Sequence, residues 1–398
     1  MNHPHSSFLL RLSESATIAM SRKSRELRKK GVDIINLSLG EPDFDTPDFI
    51  KQAATEGMNQ NYTHYMAVNG YEDFRASIAE KFKRDNHLNY SSDQIVVSTG
   101  AKQTLANIML AIIDKDDEVI LPAPYWVTYF EQIKMVKGIP VPILTTIEDE
   151  YKILPEQLEN AINPRTKLFI FNSPSNPSGA IYSKDEIIAL GEVLKKFPHV
   201  LIISDEIYEH IIYEESHYSI GQDAELFDRV ITVNGVSKAF AMTGWRIGYM
   251  GAPDWIAKAC LKVQGQFTSG ANSIGQRAAK AAVEANPETV KSMVDVFRNR
   301  RNLIVNELSK IVGVKTNIPG GAFYIYPDIS YFFGKSYNDR IISNAPELCE
   351  YLIEKANVAT VPGEAFGTRK HIRLSYAAAD EILIEAVNRI QNALSLLK

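Results

Sequence analysis

Val200-Leu201-Ile202-Ile203 is a run of apolar residues that passes directly into Ser204-Asp205-Glu206-Ile207-Tyr208. A short continuous apolar run that ends in polar residues predicts a strand buried on both faces, as in a parallel sheet. The same texture repeats on either side. Gln94-Ile95-Val96-Val97-Ser98 predicts a strand and Lys102 to Ile113 a helix. Glu118-Val119-Ile120-Leu121 predicts the next strand, ended by Pro122. Leu168-Phe169-Ile170-Phe171, a helix from Lys184 to Lys196, and Ile231-Thr232-Val233 continue the alternation. Strand, helix, strand order implies an α/β fold with a mainly parallel sheet covered on both faces. Ligands of such sheets sit outside the carboxyl ends of the strands.

The C-terminal part reads differently. A long charged helix, about Pro287 to Lys310, leads to Gly320-Gly321-Ala322-Phe323-Tyr324-Ile325-Tyr326, a strand entered through a glycine pair. Val358-Ala359-Thr360-Val361-Pro362-Gly363 and His371-Ile372-Arg373-Leu374-Ser375-Tyr376 predict further strands, and an amphipathic helix closes the chain. Mixed strands and helices here predict a second, smaller α+β domain.

Composition narrows the function classes. The chain has 398 residues, 45% hydrophobic, with a formal charge of -5. That size supports a large core, and the negative charge argues against general nucleic-acid binding. The basic stretch from Arg22 to Lys30 reads as the solvated face of an early helix. Two cysteines, Cys260 and Cys349, provide neither a disulfide framework nor metal-ligand spacing. Met1 to His5 lacks signal-peptide character, and no apolar run approaches the roughly 18 residues of a membrane helix. The expectation is a cytoplasmic protein without a metal.

Chemistry-bearing residues follow the strands. Lys238, in Val236-Ser237-Lys238-Ala239, sits where Ile231-Thr232-Val233 gives way to a loop, with Arg246 eight positions on. A desolvated lysine amine captures aldehydes, and a fixed guanidinium suits a phosphate. Aldehyde and phosphate together describe pyridoxal phosphate, although a surface lysine is the commoner fate of this residue type. Thr99-Gly100-Ala101-Lys102 opens a helix and suits an anion; a plain strand-to-helix turn is the other reading. Asn176, between Pro174 and Pro177, offers an amide to a phenolate or a carboxylate, or else simply makes a turn. Asp205, at the end of an apolar strand, calls for a positive partner such as a pyridinium nitrogen; a helix N-cap is the alternative. Tyr208 follows within reach of the same ring. Trp126 suits stacking on a heteroaromatic ring or plain packing. Arg373, within an apolar strand, suits a substrate carboxylate or an internal ion pair. Gly40 would let a substrate approach the backbone, or simply makes a turn.

These blocks resemble the class I/II aminotransferases of fold type I, pyridoxal-phosphate enzymes that include bacterial aspartate aminotransferases. The likeness runs from Leu39-Gly40-Glu41-Pro42-Asp43-Phe44 to His371-Ile372-Arg373-Leu374-Ser375-Tyr376 and is most specific at Ser237-Lys238-Ala239-Phe240-Ala241-Met242-Thr243-Gly244-Trp245-Arg246. The resemblance implies a large domain with a seven-stranded sheet over 46–290, and a small domain built from 1–45 and 291–398. It implies that Lys238 bonds the cofactor aldehyde and shuttles the proton between Cα and C4′. Asp205 then pairs with the ring nitrogen, Asn176 and Tyr208 with the ring oxygen, and Trp126 stacks on the ring. Gly100, Ala101, Lys102, Ser237 and Arg246 surround the phosphate, with Tyr65 reaching it from the other subunit of a homodimer with shared active sites. Arg373, helped by Asn176, Trp126 and the backbone at Gly40, takes the substrate α-carboxylate. The implied reaction is a ping-pong transfer from an L-amino acid, first aspartate, to 2-oxoglutarate. Aromatic, prephenate or broad-range donors, or a C–S lyase, are the alternatives. Leu12-Ser13-Glu14-Ser15-Ala16-Thr17 departs from relatives that carry a lysine there for acidic or prephenate-type substrates.

Overall fold

Seven strands share one sheet: β1 (Ile95–Ser98), β2 (Glu118–Ala123), β3 (Ile139–Leu144), β4 (Thr166–Asn172), β5 (Leu201–Asp205), β6 (Val230–Gly235) and β7 (Gly248–Gly251). Their order in the computed structural model, which describes residues 5–398, is β1-β7-β6-β5-β4-β2-β3. The reading of Met1 to His5 therefore falls, for residues 1–4, outside the described residues. Pairing is parallel throughout except at β7, which runs antiparallel to both of its neighbours. The mainly parallel α/β sheet expected from the sequence is what forms.

Both faces of the sheet are buried, and the alternation along each strand shows it. Val119 and Leu121 of β2, Leu168 and Ile170 of β4, and Ile203 of β5 point into one core. Ile120, Phe169, Phe171 and Ile202 point into the other. Each such side chain contributes roughly 1.5–3 kcal/mol when fully buried, so the apolar runs are spent on two helix layers. The helix Lys184–Lys195 in one of those layers begins at a capping box. The Ser183 side chain accepts from Glu186 N–H, and the Glu186 carboxylate accepts from Ser183 N–H at 2.7 Å.

Several expected boundaries move. β2 does not end at Pro122 but continues to Ala123. Its pairing with β4 stops at Ile120, so at Pro122 only β3 flanks the strand and the missing N–H is not needed. The helix expected from Pro287 opens as a 3₁₀ turn, Pro287–Val290, and becomes α-helical over Lys291–Ser309. Of the stretch from Gly320 to Tyr326, only Tyr324–Ile325 is strand; Gly320 and Gly321 instead donate their N–H groups to the Gly179 carbonyl. The segment after Val358 divides between two sheets. Val358–Ala359 pairs parallel with Ile35–Asn36, whereas Val361–Pro362 joins Ile372–Ser375 and Tyr324–Ile325 in a three-stranded antiparallel sheet. The helix Ala16–Lys29 carries the basic run on its outer face, with Ser21 and Ser24 turned inward. No helix among the described residues is long and apolar enough to cross a membrane.

Candidate active site

The carboxyl ends of β1, β2, β4, β5 and β6 open on one cavity of about 330 Å³, a size that suits a small ligand. β1 leads through Gly100 to Lys102, β2 to Trp126, β4 to Asn176, β5 to Asp205 and Tyr208, and β6 to Ser237 and Lys238. Because β7 is reversed, the residues just before it also lie at this edge, and they bring in Arg246. Gly248 makes that approach possible: a side chain there would collide with the backbone of Gly100 and Ala101. Gly100 itself has φ +78° and lies against the Arg246 guanidinium, which occupies the place of the missing Cβ.

Lys238 donates from Nζ to the Gly40 carbonyl at 2.6 Å. Burial, reinforced by the Arg373 charge, lowers its amine to about 8. The Asp205 carboxyl is 3% exposed and is pushed up to about 6 by burial, against the pull of the Tyr129 hydroxyl. Tyr129 donates to Asp205 Oδ2 at 2.6 Å, and Ile207 N–H donates to Oδ1 at 3.3 Å. No regular helix follows Asp205, which removes the N-cap alternative. The Tyr208 hydroxyl meets the Tyr324 hydroxyl at 2.8 Å.

Arg373 is 2% exposed and meets no carboxylate among the described residues, so the internal ion pair is not found. It donates to Asn176 Oδ1 at 2.8 Å and to the Ser38 carbonyl at 2.7 Å, and its Nε has no partner. The Asn176 carbonyl oxygen thus holds Arg373, which leaves the amide nitrogen as the group available to a ligand. Trp126 ends the loop before the helix Val127–Met135, and the Lys102 ammonium lies 5.0 Å from its ring centre. Desolvation, then the neighbouring Arg246 charge, lowers the Lys102 amine.

The cavity thus gathers Gly40, Ala101, Lys102, Trp126, Asn176, Asp205, Tyr208, Ser237, Lys238, Arg246 and Arg373. Tyr65 is not among them; it is 96% exposed on the surface of this chain. Residues that sequence reading missed also line it. Asn172 ends β4 as Asp205 ends β5, a polar residue closing an apolar strand, and that signal was available. Tyr129 lies one turn beyond Trp126 on the same helix face. Tyr324, Glu41 and Thr243 carry no local mark. Ser15, Thr17 and Ile18 bring the N-terminal segment into the wall. Glu14, by contrast, pairs with Arg22 and does not line the cavity.

Behind Asp205, Glu206, Glu209 and His217 converge within 4.8 Å. Their oxygens are spent internally. Glu206 accepts from Ser204, Ser219, Asn86 and His217, and Glu209 pairs with Lys81.

A family model described as "Aminotransferase class I and II" matches residues 32–390. An aspartate/prephenate aminotransferase of Cereibacter sphaeroides is 46% identical over 386 residues, covering 96% of each chain. One from Nitrosomonas europaea is 44% identical over 388 residues, covering 96% of this chain and 98% of its own. The crystal structure of the aspartate aminotransferase from Rhizobium meliloti superposes with a TM-score of 0.96 at 41% identity and full coverage of both chains.

Proposed function

Because this chain belongs to the class I and II aminotransferases, we propose that it is a pyridoxal-phosphate-dependent aspartate aminotransferase that passes the amino group to 2-oxoglutarate. The residues at the strand ends fit that cofactor. A lysine with a lowered pKa faces the cavity, a buried carboxylate with no cation of its own stands opposite, and a helix N-terminus lies beside the Arg246 guanidinium, which donates to the Thr243 carbonyl and meets no carboxylate among the described residues. Gly100, Ala101, Ser237 and Arg246 would hold the phosphate, Trp126 the ring face, Asp205 the ring nitrogen, and Asn176 with Tyr208 the ring oxygen. When bound, the cofactor supplies an electron sink for the carbanion left by loss of the Cα proton.

The chain's own groups do the rest. Lys238 would hold the cofactor through its amine and, as a free amine, would take the Cα proton. Arg373 grips the α-carboxylate by two parallel hydrogen bonds, oriented by Asn176 and the Ser38 carbonyl. Asp205 would pair, ionised, with the ring nitrogen.

The observation that carries the aspartate reading is a surplus of charge. Lys102, Lys238, Arg246 and Arg373 line the cavity against Asp205 and Glu41. With Arg246 assigned to phosphate, Arg373 to the α-carboxylate and Lys238 to the aldehyde, Lys102 remains, without a carboxylate partner among the described residues. Its backbone is at a helix N-terminus, and its ammonium, 5.0 Å from the Trp126 ring centre, is the group left for a distal carboxylate. Prephenate, a dicarboxylate named for the Cereibacter and Nitrosomonas relatives, is the second reading on the same ground.

The proposal extends to a large domain, 46–290, and a small one, 1–45 with 291–398. All seven main strands fall in the first and the three-stranded sheet in the second, and the Arg300–Asp43 ion pair ties the two terminal segments together. It includes a cytoplasmic homodimer with Tyr65 completing the neighbouring site. Absorbance of the protein loaded with pyridoxal 5'-phosphate tests the reading. A visible band that moves to shorter wavelength on adding L-aspartate supports it. A band that moves only with tyrosine reassigns the substrate, and no band at all removes the cofactor.

A further inference from the structure

Asp205 is held from three directions, and only one of its side-chain contacts comes from another side chain. Tyr129 donates to Oδ2 at 2.6 Å, the Ile207 N–H reaches Oδ1 at 3.3 Å, and Asn172 Nδ2 grips the Asp205 main-chain carbonyl at 2.8 Å. Tyr129 is itself buried. Its ring packs edge-on to Trp126 at 5.4 Å and 85°, so one turn of helix carries both the residue assigned to the ring face and the partner of the carboxylate assigned to the ring nitrogen. An O–H···O⁻ bond of this length is charge-assisted and about twice as strong as a neutral one.

We infer that Tyr129 is a positioning residue for the reaction, its hydroxyl fixing the Asp205 carboxylate and keeping it ionised beneath the cofactor ring. The inference rests on the proposed role of Asp205.

The groups that face Asp205 make the need specific. Burial disfavours its charge; the neighbouring Glu206 adds to that cost, and Lys238 opposes it. Glu206 is committed to Ser204, Ser219, Asn86 and His217. Tyr208, the remaining titratable neighbour, bonds Tyr324 instead. With the Lys238 amine committed to the cofactor, Tyr129 would remain as the protein side chain that favours an ionised Asp205. Burial and the adjacent carboxylate raise the Tyr129 phenol well above its ordinary value, so it stays a donor. A hydrogen bond to the ionised form lowers that form's free energy, which leaves the proton on the ring nitrogen rather than on Asp205. A tyrosine that merely satisfies its own hydroxyl would have no such effect.

Three proteins decide it: wild type, Tyr129→Phe and Asp205→Asn. In cofactor-free protein with ¹³C-carboxyl aspartate, the Asp205 signal is identified by its loss in Asp205→Asn. Its titration midpoint moves up by about one to two units in Tyr129→Phe, the worth of one hydrogen bond to a charged group. In the holoenzyme, kcat of Tyr129→Phe falls about tenfold to a hundredfold while KM for aspartate stays within about twofold. An unmoved midpoint or an unmoved kcat overturns the inference. If Tyr129→Phe does not fold, 3-fluorotyrosine at position 129, a stronger donor, replaces it. A downward midpoint then supports the inference and an unmoved one overturns it. Wild-type turnover in Asp205→Asn overturns the role of Asp205 and the inference with it. Crippled Asp205→Asn beside normal Tyr129→Phe overturns the inference alone.

Discussion

Arg373 Nη1 and Asn176 Oδ1, 197 positions apart in the chain, are hydrogen-bonded at 2.8 Å. The bond ties a strand of the three-stranded sheet to the loop that leaves β4, and it aims a guanidinium with an unpartnered Nε into the cavity. An ammonium cannot reproduce two parallel donors. Arg373→Lys therefore raises KM about 10- to 100-fold for every amino acid, the worth of one hydrogen bond to a charged group. Steady-state kinetics with several donors checks this; an unchanged KM would assign Arg373 to structure alone.

Lys238 acts as a neutral amine, and its pKa is lowered to about 8 by burial. Capture of pyridoxal 5'-phosphate by the cofactor-free protein accelerates as pH rises and levels off above that value. At pH 6 it is roughly a hundredfold slower than the plateau, two pH units being two decades of neutral amine. Lys238→Ala shows no visible band and no turnover. Stopped-flow absorbance across pH 6–10 follows the first, and normal turnover of the variant would end the assignment.

Asp205 loads the cofactor-free fold with a buried charge. Its pKa rises from 3.8 to about 6, so between those values the folded state binds more protons than the unfolded one. Stability from this group is full below pH 4 and is lost as pH climbs through about 6. Asp205→Asn stabilises the cofactor-free protein by about 3 kcal/mol above pH 6, at 1.36 kcal/mol per unit, and by nothing below pH 4. Urea unfolding at both pH values measures it. With cofactor bound, the same variant retains the ligand but loses most of its turnover, and a rate near wild type would return Asp205 to a structural role.

Lys102 separates dicarboxylate donors from others. In Lys102→Met, kcat/KM for aspartate falls about 10- to 100-fold, the worth of one hydrogen bond to a charged group. The value for alanine changes less than about threefold. An equal loss for both amino acids would place the ammonium at the phosphate instead.

Tyr65 is almost fully exposed in a single chain, which suits a residue that works on a neighbour. Sedimentation at assay concentration shows a dimer, and Tyr65→Phe weakens cofactor affinity about tenfold, the worth of one hydrogen bond. A fully active monomer would refute the shared site.

Much of the sheet was legible because β1, β2, β4, β5 and β6 are buried on both faces and read as apolar runs. β3 was not: Pro140 and Pro142 disguise a strand that lies at the sheet edge, where prolines are tolerated. β7 was hidden by glycines at both ends of Gly248-Tyr249-Met250-Gly251: the Gly100–Ala101 backbone passes close to Gly248, and the Tyr90 ring lies against Gly251. The glycine pair at Gly320 reads as a strand entry and instead docks on Gly179, a contact between segments far apart in the chain.

By itself the sequence determined the alternating sheet, and with it the edge where Gly100, Trp126, Asn176, Asp205 and Lys238 gather. An apolar strand and the residue that follows it are neighbours along the chain, and parallel strands bring all such ends to one side. Only the tertiary structure decided what each side chain meets there. Tyr129 finds Asp205 across 76 residues, Asn176 turns its oxygen to Arg373, and the N-terminal Ser15 and Thr17 close the wall. Those pairings depend on helix packing and strand order, which bring together positions whose local sequence carries no record of each other.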